Sequence, residues 1–412
     1  MARRKKRFKK SIVKFFLSIV LVALVGYLSY TGYNHFFGNN NSSNDGNVII
    51  NNNNKNKPEA KDEVYKLKLL ATGGGLIHSV IYRSYYKNGV YDFTDAVKYV
   101  KDIVKDYDIA YYNQETPTGD DSIAYSGYPM FYTPSAYVDA MRAVGFNAVS
   151  LASNHSLDKG EKGILNTVKY FKTTDMLYNG MNDSEEMRNN FTIKEKNNIT
   201  YTMLSYTTKT NGLSTPKGKS YLLNTYDKEQ VKKDIEAVRD KVDVLIVAMH
   251  WGIEYIDMPN DEEKEIAEYL SSLGVDIIIG NHPHILQPIT KIGDTIVMYS
   301  LGNFISNQYG GTNGDWNKLI GFMATLDITK IVTKDKTVKM TFDNLGGELI
   351  FTKYNGNPVT TAVHDGHTVI PFSMMKDDGY LKDYERLYKK YTGVLTAMGE
   401  NLNIAPLGSR AN

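Results

Sequence analysis

Cysteine is absent from the 412 residues. That excludes a disulfide framework, thiolate metal ligands and cysteine nucleophiles. It fits an extracellular domain kept clear of stray thiol chemistry, without fixing the compartment. Acidic residues are missing from the start of the chain: none precedes Asp45, whereas Arg3, Arg4, Lys5, Lys6, Arg7, Lys9, Lys10 and Lys14 supply eight positive charges. Removing those eight from the net charge of +2 leaves the remainder near −6. No basic nucleic-acid-binding domain is implied, and nucleic acid is not an expected partner. Long hydrophobic runs are scarce too, with one exception, Phe15 to Phe37. Internal repeats are lacking.

That exception reaches the roughly 20 residues that span a bilayer. A cleaved signal peptide would have the same basic start, but the run is long and bulky through Gly26–Tyr30, with no small-x-small site after it. The expectation is a cytoplasmic basic tail over 1–14 and one transmembrane signal anchor over 15–37. The rest of the chain would then lie outside the cell membrane by the positive-inside rule. Residues 38–63 are dominated by Asn with almost nothing to bury, which predicts a disordered tether.

From Val64 the pattern alternates strand and helix. Tyr65–Thr72, Asp108–Tyr112, Phe146–Leu151, Val242–Met249, Val275–Ile279 and Thr295–Tyr299 read as strands. Phe93–Lys105, Pro134–Val144 (Thr133 as N-cap), Lys162–Lys172, Lys228–Arg239 and Asp261–Leu273 read as helices, with a hairpin around Lys196-Asn197-Asn198. This is a layered α/β domain over 64–310. After Gln308, Leu319–Ile328, Thr337–Phe342 and Glu348–Tyr354 alternate apolar and polar residues. An antiparallel β extension with a helix over Tyr380–Met398 is expected across 311–412. His364 and His367 read there as part of a solvated turn.

Five of the eight histidines sit just past a predicted strand: His78, His155, His250, His282 and His284. Sites in open α/β sheets lie in the crevice at such strand ends. Repeated strand-then-His/Asn/Glu endings, with Asn113, Glu115 and Asn154, read as a metal site lined by imidazole and side-chain oxygen. The glycine run Gly73-Gly74-Gly75 is no phosphate loop, because Gly-Lys-Ser/Thr does not follow it.

Gly280-Asn281-His282-Pro283-His284 resembles the last motif of calcineurin-like metallophosphoesterases. It is accompanied, in order, by Tyr91-Asp92-Phe93, Asn113-Gln114-Glu115-Thr116-Pro117, Ser150 to Asp158, Met249-His250-Trp251-Gly252 and Tyr299 to Phe304. Over about Leu67 to Gln308 the set resembles the CapA, or PgsA, family of poly-γ-glutamate capsule synthesis proteins. The resemblance implies a four-layer α/β/β/α metallophosphatase-like fold, preceded by the membrane anchor. It also implies a role at the cell surface in making or exporting a capsule polymer, alongside membrane subunits of a polymer synthase.

Residue by residue, the resemblance implies Glu115 as a bridging carboxylate between two divalent cations (Mn, Zn, Fe or Mg). Asn154, His250 and His282 complete one cation's ligands, and His284 with His78 serves the other. His155 becomes the proton donor to a leaving oxygen. Asn113 and Glu254 are expected against the substrate, Asn303 either there or behind a metal ligand, and Trp251 either in the cleft or in the core. One departure stands out: the family's metal-binding aspartate after the first strand is Gly74 here. Two functions stay open, a metal-dependent hydrolase or transferase and a non-catalytic accessory of a polymer synthase.

Overall fold

Glu63–Gly75 (β1) is paired on both edges, and its partners explain the whole layout. The computed structural model describes residues 61–308, 316–355, 364–375, 381 and 383–410. The basic tail, the apolar run 15–37 and most of the Asn-rich tract lie outside them. Among the described residues no helix is long and apolar enough to cross a membrane.

In chain order the elements used below are β2 Ile109–Gln114, α1 Ala136–Val144, β3 Ala148–Ser150, α2 Gly160–Phe171 and β4 Leu177–Asn179. Next come β5 Lys194–Lys196, β6 Ile199–Thr207, α3 Lys228–Val238, β7 Val244–His250, α4 Asp261–Ser272 and β8 Ile277–Asn281. β9 Ile289–Ile292, β10 Thr295–Met298, β11 Asn303–Ile305, β12 Ile320–Val332 and β13 Val338–Asn355 follow. β14 Asp365–Pro371, α5 Tyr384–Leu395 and β15 Asn403–Ile404 close the series.

One nine-stranded sheet runs β14-β13-β12-β1-β2-β3-β4, with β11 on β1 and β15 on β13; a six-stranded sheet runs β9-β10-β8-β7-β6-β5. The pairs β1–β2, β2–β3 and β3–β4 are parallel, as are β6–β7, β7–β8 and β8–β10. Strands buried on both faces need continuous apolar runs, and these have them. Leu69, Ala71 and Tyr111 pack with Ile246, Ala248, Ile277 and Met298 of the other sheet. The alternate residues turn outward: Leu70, Ala110 and Val149 meet Val138 and Met141 of α1 and Ile164 and Val168 of α2. Leu245, Val247 and Ile278 meet Ile235 of α3 and Ile266 and Leu270 of α4. The result is a mixed α/β fold in which two sheets face one another and helices cover both outer faces.

The strands after Gln308 extend the first sheet rather than building a separate one. β12 pairs antiparallel with β1 from Glu63–Val332 to Ala71–Ala324. Helix α5 covers this wing, its Leu387, Tyr391 and Leu395 joining Leu349, Phe351 and Phe372 in the inter-sheet cluster. Thr337–Phe342 and Glu348–Tyr354, separate in the sequence reading, belong to one strand, β13, whose register shifts between Thr325 and Asp327 of its partner. Asn344 and Gly347, with φ of 53° and 145°, absorb that shift and mimic a turn in sequence. Thr133 does not cap α1. Its hydroxyl bonds Pro117 O at 3.2 Å and the Thr116 hydroxyl at 3.0 Å, so the helix starts at Ala136. The helix expected over Phe93–Lys105 is two four-residue α segments joined by a 3-10 turn.

Candidate metal centre and cleft

The carboxyl ends of β1, β2, β3, β7 and β8 meet where the two sheets converge. Gly74 ends β1, Glu115 follows β2, Asn154 follows β3, His250 ends β7, and His282 and His284 follow β8. The last two lie at φ of 103° and 61°, a left-handed turn that brings both imidazoles back toward the strand end. Gly280 is needed there: a β-carbon would lie 1.9 Å from Tyr299 O.

Of the expected ligands, Glu115, Asn154, His250, His282 and His284 come together, all buried. His250 Nε2 stands 3.0 Å from Asn154 Oδ1 and 4.0 Å from Glu115 Oε1. His284 Nε2 stands 3.7 Å from the same Glu115 oxygen. The His282 ring centroid is 4.9 Å from that of His250 and 6.1 Å from that of His284. His78 lies on the cleft wall instead, edge-on to Phe131, with Nδ1 held between Leu76 O at 3.1 Å and Asn307 N at 3.3 Å.

Asn303 sets one tautomer. Its Nδ2 donates to Gln308 Oε1 and Lys318 O, so Oδ1 is left to accept the Nδ1–H of His284 at 3.0 Å. His284 Nε2, facing Glu115, is then the nitrogen with the lone pair. Thus Asn303 orients a histidine rather than meeting substrate.

Burial dominates the electrostatics. It pushes the Glu115 carboxyl up to about 8, helped by the Glu254 and Asp158 charges. It pulls His282 down to about 3, with His284 adding to the effect, and His250 well below its ordinary value. His284 is lowered too, burial outweighing its bond to Asn303. Neutral imidazoles are the form that binds metal.

Several polar atoms are buried here without a hydrogen-bond partner: Glu115 Oε1, both amide atoms of Asn113, His250 Nδ1, His282 Nδ1 and Asn281 Oδ1. Each costs about 1–3 kcal/mol if left so. Yet among the described residues no three His, Asp or Glu side chains converge as a finished metal site. Gly74 adjoins this set: a β-carbon there would meet Glu115 Oε2 at 2.5 Å and Asn113 Nδ2 and Asn303 Oδ1 at 3.7 Å.

A cleft of about 500 Å³ opens over this centre, lined by His78, Asn154, His155, Glu254, Tyr255 and His284 among others. His155 Nδ1 donates to Asp158 Oδ2 at 2.8 Å, and Asp158 is itself held by Phe131 N at 2.7 Å. The pairing leaves His155 Nε2 for the cleft. Asp158 closes one of the motifs quoted above, where it carries no role; its i, i+3 spacing from His155 is the signal that marks the pair. Glu254 lines the cleft as expected. Trp251 does not. It is fully buried, its Nε1 donating to Tyr299 O at 2.9 Å, and it packs in the core behind β7. Asn113 is buried beneath Gly74, not in the cleft.

The expected solvated turn at His364 and His367 is also corrected. Both are buried, His367 bonds Asn307 Oδ1 at 2.8 Å, and its carbonyl accepts from Tyr85 OH at 2.5 Å. His367, Val369 and Pro371 share the buried face of β14 at period two, a signal hidden by the Asp365-Gly366 pair.

Residues 68–308 match the family model described as bacterial capsule synthesis protein PGA_cap. The capsule biosynthesis protein CapA of Bacillus anthracis is 31% identical over 175 residues, 42% of this chain and 43% of that protein. The PGA biosynthesis protein CapA of Bacillus subtilis (strain 168) is 31% identical over 173 residues, 42% of this chain and 45% of that one. The alignments thus span less than half the length of either relative. Among solved structures, GAP50, the anchor in the inner membrane complex of Plasmodium, gives a TM-score of 0.37 at 14% identity, covering 68% of this chain and 89% of that one. The purple acid phosphatase PPD1 of yellow lupin gives 0.31 at 11% identity, covering 67% and 53%.

Proposed function

Because this chain belongs to the bacterial capsule synthesis family PGA_cap, we propose that it serves capsule assembly at the cell surface as a metal-dependent phosphoester hydrolase or transferase. Its N-terminal run would anchor it in the cell membrane, beside the membrane subunits that make or export the polymer. The observation that carries the chemistry is the convergence of Glu115, Asn154, His250, His282 and His284 from four strand ends under a cleft containing the His155–Asp158 pair.

The residues fit a divalent cation. Ligand atoms about 2.1 Å from a metal and 90–110° apart lie roughly 3.0–3.4 Å from one another. The His250–Asn154 spacing of 3.0 Å already matches, and Glu115 Oε1 is slightly wide of both imidazoles at 3.7 and 4.0 Å. Glu115, Asn154, His250 and His282 would hold the ion, which supplies charge to a phosphate oxygen and acidifies a bound water. Asp158 holds His155 in the tautomer whose Nε2 faces the cleft, where it delivers a proton to the leaving oxygen. Asn303 keeps the lone pair of His284 Nε2 toward Glu115.

A second reading has one observation of its own. With Gly74 in place of a carboxylate and Glu115 Oε2 beside it, the site lacks the ligand set for two ions. That favours a binding platform within a polymer synthase.

Metal analysis of the full-length protein loaded with Mn, Zn or Fe, together with hydrolysis of bis(p-nitrophenyl) phosphate, tests both. A retained cation with turnover supports the hydrolase, and a retained cation without turnover the platform. No retained cation overturns the metal centre itself.

A further inference from the structure

The cleft has a polar floor and an apolar mouth. His155, His284 and Asn154 line its base, whereas His78, Tyr128, Pro129, Met130 and Tyr255 line its walls. Two segments contribute to that mouth, Tyr128–Phe131 and, through Glu254 and Tyr255, the loop Gly252–Pro259. Among the described residues thirteen large hydrophobic side chains are exposed, and six lie on these two segments: Tyr128, Met130, Ile253, Tyr255, Ile256 and Met258, at 39% to 78% exposure. Scattered exposed apolar residues are ordinary; a concentration around one opening marks a binding site.

Tyr255 is fixed in place, stacked on His284 at 5.9 Å with its hydroxyl accepting from Gln308 Nε2 at 3.2 Å. The charges narrow the occupant further. The lining contains Asp158 and Glu254 and, among the described residues, neither Lys nor Arg. Lys318 stands 5.1 Å over the Tyr255 ring, and Lys209 is engaged by Gly252 O. An extended polyanion would meet the Glu254 carboxylate with no Lys or Arg in the described lining to compensate, Asp158 being buried against His155. An amphiphile with one anionic group and an apolar chain meets complementary surface at both ends.

We propose that the cleft takes a lipid phosphate, a phosphate ester of a long hydrocarbon alcohol. Its phosphate lies over His155 and His284 and its chain runs along Tyr128, Met130 and Tyr255. This rests on the phosphoester reading above and adds the substrate class. It gives the apolar mouth a use, because the chain of such a carrier leaves the cleft in the direction that is already greasy. Each methylene laid on the walls strengthens binding, where a hydrophilic phosphate ester gains nothing.

Calorimetric titration of the metal-loaded full-length protein in nanodiscs with ethyl, butyl and hexyl phosphate tests it. All three are water-soluble and differ only in chain length. Affinity should rise at least tenfold from ethyl to hexyl, and the rise should shrink to under threefold in the double variant Tyr128→Ser/Met130→Ser. Both side chains are exposed, so the variant keeps the core. Equal affinity across the series overturns the lipid class and leaves the phosphoester reading standing. An undiminished rise in the variant overturns the assignment to these walls. Tighter binding of an oligo-γ-glutamate than of hexyl phosphate overturns the proposal in favour of a polyanion. No binding of any alkyl phosphate overturns the phosphoester reading with it.

Discussion

Glu115 and Gly74 share one place in the molecule: Oε2 of Glu115 lies 2.5 Å from where a β-carbon on residue 74 would stand. The carboxylate has leaned into space that a side chain at 74 would fill. Its other oxygen, Oε1, has no hydrogen-bond partner and faces the imidazoles of His250 and His284. One carboxylate thus lies between the space beside Gly74 and the imidazoles of His250 and His284.

Gly74→Asp should reverse this. The clash is with the free end of a flexible side chain, so Glu115 can swing toward His250 and His284 while the introduced carboxylate takes the vacated ground. Metal content should rise from one tightly held ion per chain to two, with phosphodiesterase activity rising alongside; losing a direct ligand commonly costs more than the 10–100-fold seen for indirect ones. Two ions in the unaltered protein would show that His78 or water already makes up the deficit. His282→Ala should empty the site in either background.

The Glu115 carboxyl also gives the metal-free protein a pH signature. Its folded value of about 8 lies above the ordinary 4.5. The folded state therefore holds a proton that the unfolded chain has lost between those values. This contribution to stability is complete below pH 4.5 and disappears as pH climbs through 8. In EDTA, urea titrations should show the unaltered protein losing stability relative to Glu115→Gln over that window, with a limiting slope of about 1.4 kcal/mol per pH unit. Parallel curves would mean the carboxylate is ionised in the folded state.

His155 and Asp158 should behave as one device. Removing a positioned proton donor costs about 10²- to 10⁴-fold in rate, so His155→Asn should lower kcat by that range with little change in KM. Asp158→Asn should cost nearly as much, and the double variant no more than His155→Asn alone. Additive losses would place Asp158 in the fold of the Phe131 segment and not in proton transfer.

The site is legible where chemistry follows a strand end and hidden where burial decides. Glu115, Asn154, His250, His282 and His284 each follow a strand legible as an apolar run, so the topology that converges the strands also converges them. Trp251 follows such a run as well, but the side chain after His250 alternates to the opposite face and enters the core. The short strands β4 and β9, three and four residues long, carry too little pattern to register. The cleft walls come from loops far apart in sequence, Tyr128–Phe131 and Gly252–Pro259, and no local signal links them. His364 and His367 flank Asp-Gly, a strong turn signature, yet β13 offers a strand edge that recruits Asp365–Pro371, and with it His367, into the sheet.

Ending the chain at Gln308 should prevent folding rather than trim an appendage. It would strip β1 of its antiparallel partner from Glu63 to Ala71 and uncover Leu67 and Leu69, which pack with Leu326 and Ile328 of β12. An unpaired edge of that length invites aggregation. The truncated protein should be insoluble, or bind a hydrophobic dye without a cooperative melt. A cooperative melt at the full chain's temperature would show the wing to be dispensable.

The last expectation concerns orientation in the membrane. Eight basic residues precede the apolar run 15–37 and no acid precedes Asp45, so positive charge should hold the N-terminus inside. The Asn-rich tract that follows has little to bury and should be open to protease. Protease added to intact cells should then release a fragment beginning within that tract, since residues Ala60–Asn412 form one compact unit. Cells opened before treatment should give the same fragment and lose only the short basic tail in addition. A chain protected in intact cells and cut only after lysis would place the cleft in the cytoplasm, away from any surface polymer.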